Sequence, residues 1–202
     1  MGRRAICISH ATGADGEAVA RQVAERLGFR YVDEEVISEA AEWADLDPAF
    51  VAGAERRKPF VARLLGGIGD QTAPRLQPAG TGRALPSDAD LRQLITTAVA
   101  SFVREGSVVI VAHAASFAVG GGEALRILVT ASPTTRAEKL AAERGIDRRE
   151  AERALKDEDA GRAVYLKRFY GVDQELPTHF DLVVNTDALT AAEAAGVVAS
   201  AA

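Results

Sequence analysis

The chain has 202 residues, 48% hydrophobic and 26% charged, with a formal net charge of −5. That length and composition suit one domain over residues 1–202 and exclude a disordered chain, and the acidic balance argues against electrostatic binding to nucleic acid. No apolar run approaches the ~20 residues that cross a bilayer, and the single cysteine, Cys7, permits no intramolecular disulfide, which suits a cytoplasmic location.

The first apolar run, Arg4 to Ser9, reads as a buried strand. Glu17 to Leu27 carries apolar residues at helical spacing, with Gly28 placed as its C-terminal stop. Phe29 to Val32 is a short second strand, and Asp33 can cap a helix beginning at Glu34. Two further helical stretches are expected between Pro48 and Leu65. The Gly- and Pro-rich stretch from Gly66 to Ser87 has little to bury and reads as a mobile loop. Asp88 to Arg104 is an amphipathic helix ended by Gly106, and Ser107 to Ala112 is a continuous apolar strand of the kind buried on both faces. Leu125 to Thr130 is the next strand; Ser132 and Pro133 then occupy cap and first-turn positions of a helix. A long charged helix starts at Asp147 and reaches about Tyr170, Asp181 to Asn185 is the fifth strand, and Thr190 with Glu193 caps the last helix. Five rounds of strand–helix alternation predict a three-layer α/β fold around a parallel sheet.

In such a sheet, ligands collect where strands end and helices begin. The first such turn, Ser9-His10-Ala11-Thr12-Gly13-Ala14-Asp15-Gly16-Glu17, holds two glycines three apart. That spacing suits a loop whose backbone N–H groups wrap a phosphate, and equally an ordinary tight turn.

Asp159-Ala160-Gly161-Arg162-Ala163-Val164-Tyr165-Leu166-Lys167-Arg168-Phe169-Tyr170-Gly171-Val172-Asp173, followed by Asp181-Leu182-Val183-Val184-Asn185-Thr186, resembles the lid helix and last strand of the cytidylate kinase-like family, a branch of the P-loop nucleoside-monophosphate kinases. Gly28-Phe29-Arg30-Tyr31-Val32-Asp33-Glu34-Glu35-Val36-Ile37 is similar to another of its segments. The resemblance runs nearly end to end. It implies a five-stranded parallel sheet in order 2-3-1-4-5 with helices on both faces, and a lid-like region at about 147–171. It also implies phosphoryl transfer from ATP, with Mg²⁺, to a nucleoside monophosphate of the CMP or dCMP type. The implied partner is a nucleotide or another phosphate-containing small molecule, and a homodimer stays open.

This chain departs from the family's pattern at the loop. The P-loop Lys and Ser/Thr are absent at Gly16 and Glu17; the family's first loop Arg is His10, a loop Gly is Asp15, and the last loop Arg is Glu17. The Gly-Arg after the third strand is Ala112-His113, and one lid Arg is Ala160, while Asp159, Arg162 and Arg168 remain. Carboxylates near a triphosphate are costly, at about 4 kcal/mol for unit charges ~4 Å apart near a surface. The degenerate loop therefore implies reduced or lost activity, with a non-catalytic nucleotide-binding or protein-interaction role as the alternative.

By resemblance the nucleotide-binding set is His10, Gly13, Ala14, Asp15, Gly16, Glu17 and His113, and the catalytic set is Asp33, Arg162 and Arg168, with no dedicated metal ligands. Each has a plainer reading: Asp33 as a helix cap, the arginines as a solvated helix face, the glycines as turn residues. His10 and His113 follow neighbouring strands. If they pair, they bind anions only when protonated, so affinity rises from about pH 8 to about pH 6; neutral, they could hold a metal ion with Asp33, and otherwise they merely hydrogen-bond the loop. Trp43 and Tyr165 are expected to pack, His179 to lie at the surface, and Cys7 to be an inert buried thiol.

Overall fold

The computed structural model describes residues 5–33, 35–44, 87–111 and 114–202. In chain order these form β1 (Ala5–His10), α1 (Gly16–Leu27), β2 (Arg30–Val32), α2 (Glu35–Ala44), α3 (Asp88–Glu105), β3 (Val108–Ile110), α4 (Ala115–Ala118), β4 (Leu125–Thr130), α5 (Pro133–Arg144), α6 (Arg148–Tyr170), a 3₁₀ turn (Pro177–His179), β5 (Leu182–Asn185) and α7 (Ala191–Ala201). The five strands pair in the order β2-β3-β1-β4-β5, and every pairing is parallel. The expected strand order and fold class are what the structure has.

The central strand carries both cores. Ile6 and Ile8 of β1 pack on one face with Val19 and Val23 of α1 and with Ala194 and Val198 of α7. Cys7 points the other way, into a second core with Val36 of α2, Ile95, Val99 and Phe102 of α3, and Phe169 of α6. Alternation along a strand that is buried on both faces requires apolar residues at every position, hence the unbroken run in β1. A third, smaller cluster of Ala137, Leu140, Ala151 and Leu155 joins α5 to α6.

Local chemistry sets the ends of the elements. Gly28 takes a left-handed conformation and returns its N–H to the carbonyls of Ala24 and Glu25, closing α1. Ser132 accepts from the Thr135 N–H with Pro133 in the first turn, Asp147 accepts from the Glu150 N–H, and Thr190 with Glu193 makes a full capping box.

The differences from expectation have physical causes. β3 is shorter than the apolar run 107–112: Ser107 sits at φ 53°, outside the extended region, so the strand begins after it. Ser87, expected as the end of a mobile loop, is the cap of α3, reciprocally bonded with Asp90. The remainder of that loop, 66–86, and the helices expected between 48 and 65 lie outside the described residues. α4 and the 3₁₀ turn were not anticipated. Trp43 is 46% exposed rather than packed.

Candidate functional site

β1 ends at His10, opposite Val129 of β4, and the chain then turns over the C-terminal edge of the sheet. Ala11 donates its N–H to the Val129 carbonyl at 3.0 Å, and Ala14 donates to Ala11 at 3.1 Å, making a compact turn before α1. Asp15 holds the cap position in the left-handed region (φ 58°), with no side-chain cap bond to the helix. Its carboxylate instead meets Lys139 of α5, Nζ to Oδ2 2.6 Å. Lys139 also donates to the Thr186 carbonyl at 3.2 Å, and the Thr186 hydroxyl donates to the Ala14 carbonyl at 3.1 Å. The Asn-Thr end of β5 is thereby tied to the loop.

Arg136 of α5 makes the second tie. Its Nε donates to the Thr12 carbonyl at 2.7 Å, while Nη1 and Nη2 reach Asp159 of α6 at 3.1 and 2.6 Å. The loop, α5 and α6 are thus joined through one guanidinium.

The two loop glycines are explained by protein contacts. Gly13 stands at φ +76°, and a Cβ there would lie 2.5 Å from the Arg136 carbonyl oxygen. A Cβ on Gly16 would collide with Cβ and Cγ of His10. The loop therefore needs both glycines to close on Arg136 and His10, whatever it binds.

His10 is half-buried, and its imidazole pKa is pushed below 6.5, first by desolvation and then by the positive charge of Arg162. A hydrogen bond to the Ala11 backbone and the carboxylates of Glu17 and Asp33 oppose that shift without overcoming it. These influences bring His10, Glu17, Asp33 and Arg162 into one electrostatic neighbourhood. They also move the expected pH-dependent gain in anion affinity to lower pH, because an imidazole pushed down in pKa is neutral near pH 7. His113 lies outside the described residues, so its expected pairing with His10 does too. Among the described residues, no group of three His, Cys, Asp or Glu side chains is arranged to hold a metal ion.

Asp33 accepts a long hydrogen bond, 3.4 Å, from the Tyr31 hydroxyl. Burial and the Asp33 charge push that phenol up to about 12, with Arg21, 4.2 Å over the ring, working against them. Glu17 is exposed in the first turn of α1. Arg162 is held by Glu175 through two hydrogen bonds, Nε to Oε2 2.6 Å and Nη2 to Oε1 2.8 Å. Arg168 lies 5.1 Å over the Phe169 ring. Tyr165 packs against Phe169 with ring centroids 4.9 Å apart, and His179 is a partly exposed edge contact of Phe117. Cys7 is buried, and desolvation pushes its thiol up to about 12.

Sequence reasoning missed Arg136, Lys139 and Glu175. The first two lie three apart on one face of α5, a spacing that flags a shared face but not the loop it covers. Nothing local flags Glu175.

The model of the cytidylate kinase-like family matches residues 5–188, and the chain belongs to that family. The bifunctional pantoate ligase/cytidylate kinase of Synechocystis sp. is 33% identical over 107 residues, which make up 51% of this chain and only 20% of that protein. Among solved structures, an uncharacterized protein from Eubacterium ventriosum superposes with a TM-score of 0.67 at 14% identity, covering 97% of this chain and 96% of its own. Shikimate kinase from Bacteroides thetaiotaomicron gives 0.52 at 13% identity over 97% and 96% of the two chains. A Thermus thermophilus protein gives 0.52 at 16% identity over 99% and 97%. At these identities the structural matches speak for the fold. Among the described residues no helix is long and apolar enough to cross a membrane.

Proposed function

We propose that the protein binds a nucleoside phosphate at the C-terminal edge of its sheet. It then moves a phosphoryl group from ATP to a nucleoside monophosphate of the CMP or dCMP type, at a rate reduced by the altered loop. The observation that carries this reading is the family match over residues 5–188. It gains support from a loop that ends at the N-terminus of α1 and from a guanidinium of α6, Arg162, whose charge reaches that loop.

In this reading the backbone does the holding. The first helical hydrogen bond of α1 runs from the Val19 N–H to the Asp15 carbonyl, so the amides of Gly16, Glu17 and Ala18 have no partner within the helix and suit phosphate oxygens. His10, Gly13, Ala14 and Asp15 shape that cradle. The Lys139 ammonium neutralises Asp15, so its carboxylate is no bar to an anion. Arg162 and Arg168 are the α6 cations that stabilise the transferring group, and Asp33 sits toward the acceptor. Mg²⁺ in such sites is carried largely by substrate phosphates with one or two carboxylates. Held chiefly by those phosphates, the ion would supply charge neutralisation on the nucleotide. A cytoplasmic location accords with nucleotide substrates and with the single buried thiol of Cys7.

A second reading, binding without catalysis, is favoured by one observation: Arg136 and Lys139, the α5 cations nearest the loop, are both committed to protein carboxylates. Thermal shift with CMP, dCMP and ATP–Mg²⁺, followed by a coupled ADP-release assay, separates the readings. Catalysis requires nucleotide stabilisation and slow, CMP-dependent ADP release. Stabilisation without ADP release leaves binding alone, and no shift with any nucleotide overturns both.

A further inference from the structure

We propose that Glu175 is a positioning residue that fixes Arg162 side-on and leaves the outer edge of its guanidinium for a phosphoryl oxygen. This rests on the reading above that the loop binds phosphate.

The geometry begins at the end of α6. Gly171 takes a left-handed conformation and, with Val172, returns N–H groups to Lys167 and Leu166, which reverses the chain. The reversal lets Glu175 reach back thirteen positions to Arg162. Both side chains are largely shielded, 28% exposed for Arg162 and 18% for Glu175. The carboxylate takes Nε and Nη2, one edge of the planar fork. Nη1 takes no part in that pair, so the Nη1–Nη2 edge keeps its geometry for a second, bidentate acceptor.

Arg136 makes the contrast. It spends Nε on Thr12 and both Nη groups on Asp159, so its two edges are engaged by protein. One arginine beside the loop is a strut, and the other is a held fork with an edge to offer. Arginine has a long side chain whose immobilisation costs free energy on binding. Holding it in place beforehand moves that cost into folding. Lysine could not take the role, having no second edge.

His10 supplies a reporter independent of turnover. It senses Arg162 of α6, Glu17 of α1, Asp33 after β2, and the Ala11 backbone. The test compares wild type, Glu175→Gln and Arg162→Gln, measuring the His10 titration by NMR and the affinity for ATP–Mg²⁺ and for tripolyphosphate by calorimetry. If Glu175 holds Arg162, its neutral isostere releases the guanidinium. The His10 pKa then rises toward its value in Arg162→Gln, and tripolyphosphate affinity falls about fivefold, the cost of immobilising one long side chain. If Arg162 stays in place without Glu175, its charge is unmasked and the His10 pKa falls further; that result overturns the proposal. Equal or tighter tripolyphosphate binding by Glu175→Gln also overturns it, since Glu175 is then idle or a competitor, while leaving the phosphate-binding reading intact. A wild type that binds neither ATP nor tripolyphosphate overturns the phosphate-binding reading and this proposal together. Should Gln disturb the turn, Glu175→Ala reads the same two quantities.

Discussion

Arg136 offers the sharpest test of how the loop is held. Its side chain is 10% exposed and that of its partner Asp159 is 48% exposed, so the two ends of the pair are unequal. Removing Arg136 leaves Asp159 to water at little cost, but it strips the Thr12 carbonyl of its donor and empties the space of a buried aliphatic stem. A hydrogen bond from a buried charged donor contributes about 1.5–3 kcal/mol, a half-exposed ion pair ~0.2–1 kcal/mol, and each buried methylene ~0.8 kcal/mol. Arg136→Ala should therefore destabilise the protein by about 3 kcal/mol, and Arg136→Met, which keeps an unbranched stem, by about 2 kcal/mol. Asp159→Ala strands a buried guanidinium with Thr12 as its remaining partner and should cost ~1–2 kcal/mol.

The two sites share one interaction, so their effects cannot add. Arg136→Ala/Asp159→Ala should cost about as much as Arg136→Ala alone, giving a coupling energy equal to the Asp159→Ala cost, ~1–2 kcal/mol. Urea denaturation at pH 7, read from midpoints at constant slope, measures the four variants against wild type. Amide exchange at Ala14 should speed up in both Arg136 variants before global stability is lost. An Arg136→Ala cost below about 1 kcal/mol, or single effects that add within ~0.3 kcal/mol, would refute the reasoning. The loop would then be held by its own turn rather than by α5 and α6.

Gly16→Ala should cost about 3 kcal/mol or more, because the new Cβ meets the Cβ of His10; His10→Gly should recover part of it in the double variant and His10→Ala should not, which thermal melts decide. His10 has a folded pKa below its unfolded value, so the stability it contributes is full above pH 6.5 and is lost as pH falls through the folded pKa. Comparing His10→Asn with wild type by urea denaturation should give a constant difference above pH 6.5 that drifts in favour of the variant below it; a difference independent of pH contradicts the assignment. Cys7, wholly buried with its pKa raised to about 12, should resist a thiol reagent at pH 8 in the native protein and react at once in denaturant.

The sheet was legible because its signals are local. Leu125–Thr130 is bounded as expected, and the caps at Ser132, Asp147 and Thr190 act within three residues of themselves. Where legibility failed, long-range geometry decided. The apolar run of β3 continues past Ile110, but its ladder to β2 ends there, with Val111 donating one last bond to Val32. α4 has only four residues, too few to show a period, and is tied down by Ser116, which accepts from the Ser9 hydroxyl and donates to the Cys7 carbonyl. At the site, the glycine spacing pointed to the loop, while the reason for it, the close approach of Arg136 and His10, lies in tertiary contacts. Arg136 reaches Thr12 across 124 positions, and no window of sequence contains that pair.

The placement of charge at this edge has a consequence for binding. A cation carried by the loop itself is present whatever the neighbouring helices do. Here the loop contributes an imidazole neutral near pH 7 and the carboxylates of Asp15 and Glu17, while the guanidinium and ammonium groups arrive from α5 and α6. Lys139 is already shared between Asp15 and Thr186, so it cancels a local negative charge more than it adds a positive one. The remaining attraction for an anion then falls to backbone amides and, in the reading proposed above, to the α6 guanidinium groups of Arg162 and Arg168, the first of them held by Glu175. With no arginine or lysine of its own, the loop therefore depends for positive charge on side chains that α5 and α6 bring to it.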